Sequence, residues 1–374
     1  MSKLAPWMLD WAMNRMRTHL ARSVCRAKHR PEHVLIALCD HFEPGWTGDP
    51  KLPGAAPKEI CHERVVTWRR RYPALVSDLR DSEGIPPRHT FFYPGDQYAF
   101  DLVEPLAQLV EMGLADVEVH LHHENDTRSS LEAKLRQTLE DLQAHGVVPH
   151  LQGRPRWAFI HGNWCLANAR PDGAHCGVDD ELDLLHSMGC YADFTFPSAP
   201  DPTQPRIVNC IYYPEGDLRK RCAHERGEQA KVGDARPNQL LCVQGPLAVC
   251  RRQGHGLPLR IDSGAITARD PATISRFETW IAQGISIRGR PEWIFVKLST
   301  HGASSREASN LLGQTQRTFH EDLRDWSRRT GVRYHYVTAR ELFNVARAAM
   351  DGKSGDPSYF RDYVVASAPR ARSY

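Results

Sequence analysis

Four things are missing from this chain of 374 residues, and each removes a class of protein. No stretch of eighteen consecutive apolar residues occurs, so no transmembrane helix is expected. Neither sign of charge dominates: 48 Lys+Arg against 45 Asp+Glu leave a net charge of +3, with the two signs interspersed, which gives no electrostatic case for nucleic acid. No G-x-G-x-x-G follows the first strand pattern and no G-x-x-x-x-G-K-[ST] occurs, so a nucleotide cradle is not supported. Ten cysteines are scattered without one Cys-x-x-Cys pair. With no signal-peptide h-region beside them, they read as reduced thiols of a cytoplasmic protein, several buried as small apolar groups.

What is present is globular: 41% hydrophobic and 25% charged residues. The length favours one barrel-sized domain with decorations. Residues 1–32 read as an amphipathic helix. Leu4, Trp7, Met8 and Trp11 share one face, and Arg15, Arg17, Arg22, Arg26 and Lys28 follow it. Such a helix either lies on an anionic membrane surface as a peripheral contact or docks its stripe on the protein's own core. The main domain is expected over 33–350 and a loosely ordered tail over 351–374.

Val34 to Leu38 is a continuous apolar run that reads as a buried parallel strand, followed by Cys39-Asp40-His41-Phe42-Glu43-Pro44. A helix over about 61–79, a strand at 89–93, a helix over 100–112 and a strand through Val117, Val119 and Leu121 come next. A helix to about Ala144, a strand at 157–160, a helix to Met188 and a strand at 191–196 continue the alternation, the grammar of parallel α/β. Between about 199 and 264 proline, glycine and arginine rise, and short strand-like runs imply a β-rich insertion beside a barrel mouth. A helix at 272–282, a strand at 293–298, one long helix over 306–329, a short strand at 333–337 and a helix at 339–349 complete the expected order.

Polar residues gather where the strands end: Asp40 and His41, Tyr93 to Asp96, His122 to Asp126, His161 to Trp164, and His301. In a parallel barrel those tips open on one face, where barrel enzymes keep their chemistry. The densest is Val119-His120-Leu121-His122-His123-Glu124-Asn125-Asp126. Imidazole and carboxylate are the usual ligands of zinc and related ions, and His122 with Asp126, spaced H-x-x-x-D, converge if the chain turns sharply after the strand. The competing reading is a solvated loop, since the chain has 19 histidines.

In motif order the chain resembles the polysaccharide deacetylase superfamily with NodB homology, carbohydrate esterase family 4. Leu38-Cys39-Asp40-His41 occupies the place of that family's Thr-Phe-Asp-Asp, and Glu118 to Asp126 the place of its H-x-x-x-H motif, with Asp126 as the second ligand. Leu298-Ser299-Thr300-His301 is similar to its late Leu-x-His, one residue longer. His161-Gly162-Asn163-Trp164 replaces its groove-wall Arg-x-Pro-x-Gly, and Asp193 stands where an acid tunes the base.

The resemblance implies a deformed (β/α) barrel and a metal-dependent hydrolase removing N-acetyl or O-acetyl groups from a carbohydrate. A divalent ion, zinc first, would be held by His122, Asp126 and either Asp40 or His41. Asp40 would be the base when His41 is the ligand, and His301 the acid. Tyr93, His161, Asn163 and Trp164 would meet the sugar, with Tyr98 as a further stacking ring and His123 and Asp193 in support. Two other readings stay open. One is an amidohydrolase-type hydrolase using His120-Leu121-His122 as an H-x-H pair, and the other a catalytically inactive deacetylase-like carbohydrate-binding or scaffold protein.

Overall fold

Strands covered on both faces are apolar along their whole length, and β1 (His33–His41) is of this kind, with eight of its nine residues buried. It belongs to the main sheet of a computed structural model that describes residues 7–13, 16, 31–47, 56–251 and 259–368. Around it run β2 (His89–Pro94), β3 (Ala115–Leu121), β6 (Trp157–His161), β7 (Cys190–Asp193), β13 (Trp293–Thr300) and β14 (Arg333–Tyr336). A hairpin of β4 (His150–Leu151) and β5 (Arg154–Pro155) stands apart. Helices α1 (Lys58–Val76), α2 (Phe100–Glu111), α3 (Arg128–Gln143) and α4 (Glu181–Ser187) connect the early strands. α5 (Ile274–Ile281), α6 (Ser305–Leu311), α7 (Gln314–Thr330) and α8 (Ala339–Met350) follow. The long helix expected over 306–329 is two helices, broken where the backbone turns extended at Gly313, a position at which an added Cβ would lie 2.4 Å from the Ser309 carbonyl.

The sheet has ten strands and is mostly parallel, in the order β13-β1-β2-β3-β6-β7 and then residues 241–243, 211–214 and 227–229, with β14 beside the first half of β1. On one flank His33 to Asp40 face Trp293 to Thr300 in register. On the other, Leu38 to His41 face His89 to Phe92. Three strands of the expected insertion, β8 (Ile211–Pro214), β9 (Gly227–Gln229) and β10 (Leu241–Val243), continue this sheet beyond β7 rather than standing beside it. Only the hairpin of β11 (Ala248–Arg251) and β12 (Leu259–Asp262) is separate. The expected α/β class, with a mostly parallel central sheet, is what the chain forms; the path ends at β13 and β9, and the sheet is not closed. Residues 285–288 run between those ends, with Arg288 N–H donating to the Ala230 carbonyl and Phe295 N–H to the Ile285 carbonyl. The segment is too short to build a ladder on either side.

Alternation along the strands separates two cores. Val34 and Ile36 of β1 face a layer containing Val65 and Trp68 of α1, Leu106 of α2 and Leu135 of α3. Leu35, Ala37 and Cys39 face the other way, into a core shared with Ile160, Phe194, Phe295 and helix α8. Every residue of α8 except Arg347 is buried. Its Asn344 Nδ2 donates to the carbonyls of Arg361 and Val365 at 2.6 and 2.8 Å. Over 351–368 the tail is therefore packed rather than loose, its buried backbone groups satisfied by the Asn344 and Arg340 side chains of α8. Residues 369–374 lie outside the described residues.

At the other end, residues 7–13 are helical and Trp7 is buried with Ala199, Val208 and Leu247. Leu9, Met13 and Met16 are exposed. The basic residues from Arg15 to Lys28 fall outside the described residues. No helix among the described residues is long and apolar enough to cross a membrane. The nine described cysteines are all unpaired, seven of them buried.

Candidate metal centre

Successive residues of a strand point to opposite faces, and this decides which polar tips meet. His41 lies on the face of Leu35, Ala37 and Cys39, and just past it Phe42 N–H donates to the Phe92 carbonyl at 3.0 Å while Glu43 N–H turns back to the His41 carbonyl at 3.1 Å. That turn leaves the Glu43 carboxylate within 4.8 Å of the His41 ring nitrogen. On β3 the same argument puts Glu118, His120 and His122 on one face and turns His123 away. The His41 and His120 rings lie 5.1 Å apart and those of His41 and His301 4.9 Å apart.

Glu43 is where the side chains converge. Its Oε1 lies 3.0 Å from His120 Nε2 and 3.1 Å from His122 Nε2. Both rings are held from behind. His120 Nδ1 is 3.1 Å from the Ile160 carbonyl, which can only accept, so this nitrogen carries the proton and Nε2 has the lone pair. His122 Nδ1 is 3.3 Å from Asp96 Oδ1, which also takes the His122 N–H. Gly162 is obligatory against this ring, since a Cβ there would lie 2.3 Å from His122 Cδ2.

The charges follow from the geometry. Burial lowers the His120 pKa, against the pull of Glu43. Burial also works against a charged His122, but the hydrogen bonds with Asp96 and Glu43 outweigh it and push its pKa up to about 10. Burial pushes the Glu43 carboxyl upward, yet its hydrogen bonds to His120 and His122 hold it well below the usual carboxylate range. His41 is driven well below its ordinary value, chiefly by burial. The lone pair of a neutral His120 thus faces a carboxylate oxygen at hydrogen-bond distance. That contact is favourable only with a cation or a proton between the two acceptors.

Several expected residues are elsewhere. Asp126 does not meet His122. It sits just before the Thr127 N-cap of α3, where its carboxylate takes Ser130 Oγ at 2.6 Å and Lys134 Nζ at 2.9 Å and lies 3.3 Å from His123 Nδ1. Asp40 points to the face opposite His41 and is fully buried, accepting from Gly302 N–H at 2.7 Å and paired with His89 Nε2 at 2.8 Å. In that place it is neither a ligand nor a base of this centre, but it holds the backbone beside His301. His161 is also on the far face, buried with His123 and Glu181, so it does not line a sugar groove. Tyr93 is fully buried with its hydroxyl on the Gln97 carbonyl and presents no stacking face. Asn163 and Trp164 are half-buried in the turn after β6. Asp193 is buried and bonded to Thr195 Oγ1 at 2.6 Å, and burial raises its pKa to about 7.

Three residues carry no assigned role in the sequence: Glu43, Asp96, which only closes a polar tip, and Trp46, whose ring lies 6.5 Å from that of His301. Glu43 had a signal, the i, i+2 spacing from His41, hidden by the following Pro44. Asp96 sits in a single 3-10 turn (Gly95–Gln97) and Trp46 in a loop, both too short to show a periodicity.

Buried His and Glu groups here fit a divalent ion: the donor set is right, the Nδ1 atoms of His120 and His122 are committed to acceptors, and His41 Nδ1 is buried without a partner. No protein-family model and no curated protein matches the chain.

Proposed function

We propose that this protein is a metal-dependent hydrolase that removes N-acetyl or O-acetyl groups from a carbohydrate, as polysaccharide or glycoconjugate biosynthesis requires, on a deformed barrel of deacetylase type. One observation carries the metal: the Nε2 atoms of His120 and His122 both close on Glu43 Oε1, with their other nitrogens held by Ile160 and Asp96. The segment 285–288, bonded to both ends of the open sheet, supports the barrel reading.

Glu43, His120 and His122 would hold the ion, zinc by its preference for imidazole and carboxylate. When bound, such an ion acidifies water and polarises an acyl carbonyl. The chain's own groups do the rest. Ile160 and Asp96 fix the tautomers of His120 and His122. His41, kept neutral by burial, and His301, half-exposed, stand on the other side of Glu43 toward an incoming substrate. Asp40 fixes the loop that carries His301 through the Gly302 N–H, and Trp46 offers an aromatic wall beside it. The exposed stripe of Leu9, Met13 and Met16, next to the basic sequence that follows, supports a peripheral contact with an anionic membrane.

A second reading has its own support. His120 and His122 act as a pair from one strand, as the H-x-H of amidohydrolase-type enzymes does. Acetate release from N-acetylhexosamine oligomers, measured together with metal content for wild type and His122→Ala, tests the proposal. Metal-dependent acetate release that His122→Ala abolishes supports it. Bound metal without acetate release from N- or O-acetylated sugars counts against the deacetylase and leaves the amidohydrolase reading. Absence of both supports an inactive scaffold.

A further inference from the structure

The donors around Glu43 fall into two sets. Glu43, His120 and His122 bring their ligand atoms within 4.8 Å of one another, and so do His41, Glu43 and His301. The five side chains do not form one such group. An ion about 2.1 Å from each ligand needs every pair of donors within roughly 4.2 Å, so one ion cannot take all five in this arrangement. Glu43 belongs to both sets. Its Oε1 is committed to His120 and His122, and among the described residues no hydrogen bond reaches Oε2. On the second side, His41 Nδ1 is buried without a hydrogen-bond partner. Its ring leans on that of His301, 4.9 Å away and tilted by 33°.

We propose that the centre is built for two divalent ions bridged by Glu43, the first held by His120 and His122 and the second by His41 and His301. This rests on the metal-dependent reading above and adds a second, more open position to it. The first position is walled in by Ile160, Asp96 and Gly162. The second has the half-exposed His301 and Trp46 beside it, so it is the one a substrate reaches. Carboxylate-bridged pairs of ions are a recurring device for stabilising both partners of a hydrolytic displacement.

The test uses the full chain stripped with a chelator, reloaded with cobalt(II), desalted and analysed for bound metal and for magnetic coupling between cobalt ions. Wild type is expected to hold two ions per chain with a coupled signal. His301→Ala, a change at a half-exposed side chain with little folding risk, should hold one uncoupled ion, and Glu43→Gln should lose the coupling. One ion in wild type and one in His301→Ala would overturn the second position and leave the single-ion centre standing. No bound ion in wild type would overturn both. Two ions in wild type and still two in His301→Ala would also overturn the assignment, and His123→Ala then shows whether the His123, His161 and Glu181 group holds the other.

Discussion

Glu43 has one carboxylate oxygen that meets two imidazoles, so its removal separates the residues of the centre more sharply than removal of any one histidine. Glu43→Gln is expected to lower zinc affinity by on the order of 100-fold, and Asp96→Asn, which only supports His122, by about 10-fold. Asp126→Asn should leave it unchanged, since that carboxylate serves Ser130 and Lys134. Competitive titration with a chromogenic chelator measures all three, and a large loss in Asp126→Asn would restore the H-x-x-x-D ligand pair.

Away from the centre, His224 is buried against the Phe196 ring with both ring nitrogens unpartnered, and burial lowers its pKa to about 3. Below the ordinary value of 6.5 the unfolded chain takes up a proton that the folded chain refuses. The stability this group lends is therefore complete above pH 6.5 and is lost as pH falls toward 3, by up to about 1.4 kcal/mol per pH unit. His224→Leu should flatten that acid slope, as denaturant midpoints at pH 4.5 and 7.5 would show. Equal slopes in the two proteins would refute the assignment.

Among the elements, the loop after β13 shows how a strand tip is set. Asp40 takes the Gly302 N–H and Trp68 Nε1–H donates to the Gly302 carbonyl at 2.8 Å, so both backbone groups next to His301 are pinned from below. A Cβ at position 302 would lie 2.2 Å from Asp40 Oδ2. Asp40→Ala leaves a buried N–H and His89 without their partner and should cost about 2–4 kcal/mol, read as a shift in denaturant midpoint. A stability effect with metal retained marks Asp40 as a positioning group. Lost turnover at unchanged stability would return it to the role of base.

Much at this scale was legible beforehand. The strands β1, β2, β3, β6 and β13 were readable from apolar runs ending in polar tips, and the shared face of His120 and His122 follows from period two. Asp126 was not, because whether four residues after a strand turn back to it or start a helix depends on Thr127 capping α3, a local competition that spacing alone does not decide. Asp40 and His41 share a strand tip in sequence, but alternation puts neighbours on opposite faces, so the two cannot serve one centre.

At the scale of the whole molecule the open sheet was not legible, since closure depends on where distant strands end and not on any segment's own pattern. Nor was the tail. Deleting residues 351–374 would strip Asn344 of its partners and leave Asp81 and Glu341 without Arg361, a change expected to cost at least about 3 kcal/mol. Thermal unfolding of the shortened chain measures it, and an unchanged melting temperature would show the tail to be dispensable. Metal binding acts on the same quantity: an ion at 100 times its dissociation constant should add about 2.7 kcal/mol, so a chelator should lower the melting temperature, and no shift would count against a metal centre.

The tip of β3 sends His122 toward Glu43 and His123 toward Glu181, so one strand end serves two buried polar clusters on opposite sides of the sheet. Its reading frame is therefore shared. An in-frame loss of one codon between Val117 and Leu121 would swap the faces, putting Leu121 in the place of His120, His123 in that of His122, and Glu124 opposite Glu181. Substitutions can accumulate on either side independently, but insertions and deletions in this stretch strike both clusters at once.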